Sequence, residues 1–158
     1  MFLANLEMEN ILSTRKRFDP TLLQAFDQKS RKKAKAILKK AGYKAQDSAK
    51  KTDVDLFVED DQGVKFYVEV EVKTLWKSAE FPYETIQFPE RKEKYAKLDK
   101  PTIFMMFNED LSNYLTVLSK DLIKSPKKMV RNRYVRFGEE FFQVPVKKAN
   151  FNKLPKGY

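Results

Sequence analysis

The segment YVEVEVK, residues 67–73, alternates apolar and polar side chains as a β-strand with one buried face does. Its valines lie on one side, while Glu69, Glu71 and Lys73 share the other side. Two acids and one base aligned on a strand indicate one of two arrangements. They form either a solvated sheet face with cross-strand ion pairs or a functional site.

A second apolar run, VDLFVE at residues 54–59, precedes this segment, and the linker DDQG ends in a glycine. Two apolar runs joined by such a turn predict a β-hairpin. The hairpin brings Asp55 beside the strand on which Glu71 and Lys73 project together. Two converging carboxylates suit a hard divalent cation, and a lysine beside them can contact a phosphate or orient a water molecule.

The composition excludes several kinds of chemistry. The 158 residues contain no cysteine and no histidine, which rules out disulfides, thiolate and histidine catalysis and sites with His or Cys ligands. Any metal must therefore bind through oxygen, which indicates Mg²⁺, Mn²⁺ or Ca²⁺. The cofactor we expect is Mg²⁺, with Mn²⁺ as a substitute. The net charge of +10 favours an anionic partner, with nucleic acid ahead of an anionic membrane surface.

The remaining patterns predict a mixed α/β domain with a central mixed β-sheet flanked by helices. A helix is expected from a cap at Asp19 to Gly42. A loop is expected next over 74–88, followed by a short helix from Pro89 and by strands at 102–107 and 114–118. A helical turn is expected at 119–125. Two short strands at 130–137 and 141–146, joined at Gly138 and Glu139, are expected to follow it.

The chain is expected to be one domain, residues 1–158, with an N-terminal helical arm over 1–18 and a basic tail over 147–158. No apolar run approaches the roughly 20 residues that span a bilayer. We therefore expect an intracellular, cytoplasmic protein with no membrane partner.

The order of these elements resembles the core of the PD-(D/E)XK nuclease superfamily. The resemblance is carried by the helix that ends in AGY, by DVDLFVE, by the glycine turn, and by Glu71-Val72-Lys73, which fifteen intervening residues separate from Asp55. It covers roughly residues 20–107. It implies a restriction-endonuclease-like, four-stranded mixed sheet and Mg²⁺-dependent cleavage of DNA.

By this resemblance Asp55 and Glu71 would hold the magnesium ion, with the Val72 carbonyl as a further ligand. Lys73 would position the attacking water or stabilise the developing charge. The chain departs from the family pattern in having Val54 before Asp55, where the family name has proline. The first helix offers Asp27 but no glutamate.

The identity of a third acidic ligand is therefore left open, and Glu9 and Glu7 of the N-terminal arm are the candidates. The Gln-x-x-x-Tyr pattern of exonuclease relatives is also absent, because Arg91 stands four residues after Gln87. Gln87 can still face the site just before the helix.

Other assignments remain open. Asp53 competes with Asp55, although the apolar run LFV directly follows Asp55. Glu69 is a possible additional site residue, but pairing with a nearby lysine is favoured for it. Trp76 and Phe81 belong either to the core or to a substrate groove.

Two basic stretches flank the acidic centre in the sequence, one at 29–44 and one at 124–136. Each is either a solvated face or a DNA contact. The residues proposed to contact DNA are Lys35, Lys39, Arg91, Lys92, Arg131, Arg133 and Tyr134.

These observations predict a metal-dependent endonuclease that hydrolyses phosphodiester bonds in duplex or branched DNA, acting as a homodimer. The alternatives are a non-catalytic nucleic-acid-binding module and a nuclease subunit of a larger recombination or restriction complex.

Overall fold

The computed structural model describes residues 20–48, 54–132 and 135–155. Two β-sheets and three helices make up this part of the chain. The helices are α1 (Pro20–Lys40), α2 (Glu93–Ala96) and α3 (Ser119–Ile123), with single 3-10 turns at Glu90–Lys92 and Val146–Lys148. The strands are β1 (Lys44–Asp47), β2 (Leu56–Glu59), β3 (Lys65–Val72), β4 (Thr85–Pro89), β5 (Thr102–Phe107), β6 (Asn113–Leu118), β7 (Lys127–Asn132), β8 (Val135–Pro145) and β9 (Asn150–Lys153).

The larger sheet has six strands in the order β1-β2-β3-β5-β6-β9. It is mixed, because β3 and β5 are parallel while the other neighbouring pairs are antiparallel. The predicted mixed central sheet with flanking helices is confirmed, although it contains more strands than the resemblance implied. A separate three-stranded sheet has the order β4-β8-β7.

Helix α1 covers one face of the six-stranded sheet. Its residues Ala34, Ile37 and Leu38 recur at three- and four-residue spacing and are buried against Val68 and Val70 of β3. The expected end of the helix is also confirmed, since the chain turns at a glycine just after Lys40. This layer is wholly apolar where it meets β3.

The opposite face of the six-stranded sheet carries the second core. Phe104 and Met106 of β5 pack there against the small sheet, which contributes Phe88 and Phe142. Residues on β3 that point to this side include Tyr67 and, further along, the acids. The polar end of β3 therefore lies at the border of an apolar core.

The predicted hairpin is confirmed. Strands β2 and β3 pair antiparallel, with Leu56 opposite Val68. The turn contains Gly63 at a φ of 83°, a conformation that favours glycine. Asp60 closes the turn by accepting hydrogen bonds from the backbone N–H groups of Gln62 and Val64.

Three expectations about irregular segments were wrong. The stretch expected to be a loop at 74–88 ends in β4, whose partner β8 lies more than fifty residues further on. Strands β7 and β8 pair antiparallel with Asn132 opposite Val135, and Gly138 lies inside β8. Part of the expected basic tail forms β9 at the edge of the large sheet.

These errors have a common physical cause. The strands concerned are stabilised by pairing with distant segments, which local periodicity does not report. Gly138 has a φ of 84°, and a Cβ there would approach the Val130 carbonyl oxygen to 3.0 Å. The backbone therefore requires a glycine at position 138. The reason is the close approach of β7 to β8 at this point, and not a turn between the two strands. The expected arm at 1–18 and Asp19 lie outside the described residues.

Candidate active site

Asp55 sits just before β2 and is fixed to β3 by two hydrogen bonds. Its backbone N–H donates to Glu69 Oε1 at 3.2 Å, and its Oδ2 accepts from the Val70 N–H at 2.8 Å. Because Leu56 lies opposite Val68, the next position of each strand places Asp55 opposite Glu69. The hairpin thus brings Asp55 to the acidic face of β3, as the sequence predicted.

Glu69 and Glu71 share one buried cationic partner. The Lys92 ammonium lies 3.0 Å from Glu69 Oε2 and 3.9 Å from Glu71 Oε1. The side chains of Glu69 and Lys92 are only 7% and 16% exposed. The favoured prediction for Glu69, that it pairs with a lysine, is confirmed.

Glu71 is the least satisfied of these acids. Its side chain is 25% exposed, but its Oε1 is buried and accepts no hydrogen bond. A buried polar atom without a hydrogen bond costs free energy and calls for a physical explanation. An oxygen in this state has a coordination position free for a cation.

Burial and mutual repulsion shift the acids in the same direction. Burial, and then the neighbouring Asp55, raise the pKa of Glu69 to about 8, against the opposing effect of Lys92. Burial likewise raises the pKa values of Asp55 and Glu71. The site therefore favours a proton or a cation at its carboxylates.

The lysines around the acids differ in environment. Burial lowers the pKa of Lys73, although Glu71 opposes this effect. For Lys92 burial acts in the same way, but Glu71 and Glu69 outweigh it and raise its pKa. Lys92 is thus held as an ammonium, whereas Lys73 is closer to releasing its proton.

Lys73 follows β3 directly, and its backbone N–H donates to the Phe107 carbonyl at 2.8 Å. Its ammonium lies 5.3 Å from the centre of the Tyr83 ring, within cation–π range. Tyr83 played no part in the predicted site, because nothing in its local sequence distinguishes it from other loop aromatics. In the structure, the Tyr83 ring lies beside the Lys73 ammonium at the end of β3.

Helix α1 places one acid, Asp27, near enough to the site to act on it electrostatically. Asp27 forms a salt bridge with Arg31 one turn along α1. Both groups act electrostatically on Asp55, since Asp27 raises its pKa and Arg31 lowers it. The acid that α1 offers in place of a glutamate therefore lies close enough to affect the site, but it is neutralised by its own arginine.

The other predicted residues are dispersed. Gln87 hydrogen-bonds to Gln143 at 3.4 Å on the small sheet, while its neighbours Ile86 and Phe88 enter the core. It projects away from that core, and the structure does not bring it to the acids. Glu9, Glu7 and Asp53 lie outside the described residues.

The predicted DNA contacts occupy several surfaces. Arg91 is 62% exposed and pairs with Glu139 at 2.9 Å, while Lys35 pairs with Asp47 at 3.2 Å. Lys39 and Arg131 are exposed. Lys92 instead points inward at the acids. Arg133 and Tyr134 lie outside the described part of the chain, and the DNA contacts remain predictions.

The grouping of the acidic side chains shows how many of them could serve as metal ligands. Within residues 20–48, 54–132 and 135–155, no three acidic side chains are grouped as metal ligands. A two-carboxylate site fits better, because Glu71 has a buried oxygen without a hydrogen bond and Asp55 is held nearby by the bond that its Oδ2 accepts from the Val70 N–H. Asp55 and Glu71 are therefore the residues that could hold a divalent cation.

Within the described ranges, no helix has the length and apolar character that crossing a membrane requires. No family model matches the chain, and no curated protein matches it. Among solved structures, the chain is similar to Hjc of Archaeoglobus fulgidus, a Holliday junction resolvase from an archaeal hyperthermophile. That similarity has a TM-score of 0.48 at 10% sequence identity and covers 76% of this chain and 84% of that chain.

Proposed function

We propose that the protein is a metal-dependent nuclease that hydrolyses phosphodiester bonds in duplex or branched DNA. The observation that carries this proposal is the buried Oε1 of Glu71, which has no hydrogen bond, in a carboxylate that Asp55 affects electrostatically. The net charge of +10 supports an anionic polymer as substrate, and the absence of histidine and cysteine leaves carboxylates and lysines for the chemistry.

In this proposal Asp55 and Glu71 hold Mg²⁺ or Mn²⁺, with the Val72 carbonyl as a further ligand. When bound, the cation stabilises charge on the phosphodiester oxygens and makes its bound water more acidic. The hydrogen bond that the Val70 N–H donates to Asp55 Oδ2 and the one that the Asp55 N–H donates to Glu69 hold Asp55 in one orientation. This fixed geometry reduces the cost of arranging the ligands when the cation enters.

Lys73 is proposed to orient the attacking water or to contact the scissile phosphate. The lowered pKa of Lys73, caused by burial, supports a role close to the reacting groups. Lys92 and Glu69 are proposed as positioning residues, since the Lys92 ammonium that bonds to Glu69 at 3.0 Å also lies 3.9 Å from Glu71 Oε1. No proton transfer is assigned to either of them.

The test uses supercoiled plasmid and a four-way junction, each with magnesium and with EDTA. Parent protein is expected to cut in magnesium only, and Glu71→Gln is expected to cut roughly 100-fold more slowly, the loss of several kcal/mol of transition-state stabilisation. Glu59→Gln, which removes a carboxylate at the far end of the hairpin, is the matched control. Equal cutting by parent and Glu71→Gln would refute the assignment.

A non-catalytic nucleic-acid-binding module is the second candidate. The Lys92 ammonium between Glu69 and Glu71 favours it, because a lysine can balance buried acids without any metal. In that case parent and Glu71→Gln would bind DNA equally and neither would cut. A homodimer is proposed for the cleaving form, and analytical ultracentrifugation with and without DNA tests it.

A further inference from the structure

Four aromatic side chains form an aromatic ledge, defined as Trp76, Phe81, Tyr83 and Phe151. The ring centres of Trp76 lie 5.2 Å from Phe81 and 6.0 Å from Phe151, and Phe81 lies 5.8 Å from both Phe151 and Tyr83. Trp76 is fully buried, whereas Tyr83 and Phe151 are each 44% exposed. The ledge is thus a rigid cluster with two rings open to solvent.

The ledge lies on the face of the large sheet that carries the acids. Glu71 pairs with Met106, Met106 pairs with Leu115, and Leu115 pairs with Phe151. Paired residues point to the same face, and neighbouring strands are about 4.8 Å apart. Phe151 is therefore about 14 Å from Glu71 along a straight row across the sheet.

The near end of the ledge adjoins the proposed catalytic lysine. The Tyr83 ring is the one that Lys73 approaches at 5.3 Å. At the far end Lys153 is two residues from Phe151 on β9, so both side chains project from the same face of that strand.

This combination of features suits a nucleic acid strand with exposed bases. Aromatic rings stack on bases of any sequence, while lysines beside them contact the phosphates. The bases of a continuous duplex are already stacked on one another inside the helix and cannot reach such a ledge. A strand with unpaired bases can.

We propose that the aromatic ledge binds an unpaired base of single-stranded or branched DNA, so that the protein prefers such DNA over continuous duplex. The proposal rests on the proposed function in one respect, since it takes Lys73 and Glu71 to mark the cleavage site. In this proposal the ledge selects the DNA substrate and takes no part in the chemical step.

The experiment measures binding alone, in EDTA, so that its outcome is separate from any result on cleavage. Fluorescence anisotropy compares labelled oligothymidine with an abasic phosphodiester of the same length, which has the same charge but no bases. Parent protein is expected to prefer oligothymidine by about tenfold or more. Equal affinity of parent for the two polymers, or failure to bind either, would overturn the proposal.

The variants Tyr83→Ala and Phe151→Ala are expected to lose most of this preference, with little change in affinity for the abasic polymer. Phe151→Leu keeps an apolar side chain over Trp76 and is expected to show the same loss without loss of the fold. Met129→Ala is the matched control, because Met129 is an apolar side chain 53% exposed on β7. A preference that survives in all three ledge variants would refute the assignment to the ledge.

The single tryptophan of the chain provides a direct readout, since Trp76 contacts Phe151 at the base of the ledge. Its emission is expected to change on addition of oligothymidine and to stay constant on addition of the abasic polymer. A final comparison uses a blunt hairpin duplex and the same hairpin with a single-stranded thymidine tail. Tighter binding of the blunt form would contradict the proposed substrate preference.

Discussion

Lys92 donates a hydrogen bond to Glu69 at 3.0 Å, although the two residues are 23 positions apart and belong to different elements. Lys92 ends the 3-10 turn after β4, while Glu69 lies in the middle of β3. The hydrogen bond therefore joins the turn that follows β4 of the small sheet to β3, an inner strand of the large sheet. It also places a positive charge at the acids that the proposed function uses.

Replacing Lys92 with methionine is expected to destabilise the fold by roughly 3 kcal/mol, because Glu69 loses its buried cationic partner. The double variant with Glu69→Gln is expected to recover much of this loss, since it removes the uncompensated carboxylate. Urea unfolding of parent, the two single variants and the double variant gives the coupling energy. Lys127→Met, which breaks a surface pair with Glu90, is the control and should cost far less, because solvent screens this pair.

Stability is expected to fall as the pH rises from about 5 to about 8. The pKa of Glu69 is raised to about 8 in the folded chain, so the folded state binds more protons than the unfolded state in this window. The raised pKa values of Asp55 and Glu71 act in the same sense. Chemical denaturation across this range tests the expectation, and Glu69→Gln should flatten the slope. Constant or rising stability in parent would contradict it.

Divalent cations are expected to raise the melting temperature of the parent protein. A ligand at about 100 times its dissociation constant adds about 2.7 kcal/mol of stability to the state that binds it. Asp55→Asn and Glu71→Gln are both expected to lose this stabilisation by Mn²⁺, measured by thermal unfolding without DNA. Asp47→Asn removes an exposed carboxylate at the end of β1 and should retain it. An identical shift in all four proteins would exclude the proposed ligands.

Lys73 is expected to act in cleavage without holding the metal. Lys73→Met should therefore lower the cleavage rate roughly 100-fold, comparable to removal of one transition-state donor, while the Mn²⁺-induced rise in melting temperature persists. Single-turnover cleavage of the preferred DNA and thermal unfolding together separate these effects. Lys97→Met, at a lysine 68% exposed, is the control. Loss of the thermal shift in Lys73→Met would assign the lysine to the fold of the metal site.

Much of the central architecture follows from local pattern. The alternation in β2 and β3 and the glycine turn between them specify a hairpin, and the hairpin alone brings Asp55 to the acidic face of β3. The periodicity of Ala34, Ile37 and Leu38 likewise predicts a helix with one buried face. These elements are encoded by neighbours in sequence, so a sequence pattern suffices to find them.

Strands β4 and β9 escaped prediction because the strands that pair with them lie far away in the chain. Strand β4 pairs with β8, and β9 completes the edge of the large sheet next to β6. Each strand is short and is stabilised by a partner far away in the chain, so its own residues resemble loop or tail. Packing between distant segments decides such strands.

By itself the sequence determined which residues could form the site: two acids and a lysine on a hairpin, in a basic chain without histidine or cysteine. Only the tertiary structure decided what surrounds them. It buried Glu69 against Lys92, left Glu71 Oε1 without a hydrogen bond, and set Tyr83 beside Lys73. The physical reason is that burial and charge pairing depend on distances through space, and these contacts join residues that are far apart in the sequence, 23 positions for Glu69 and Lys92.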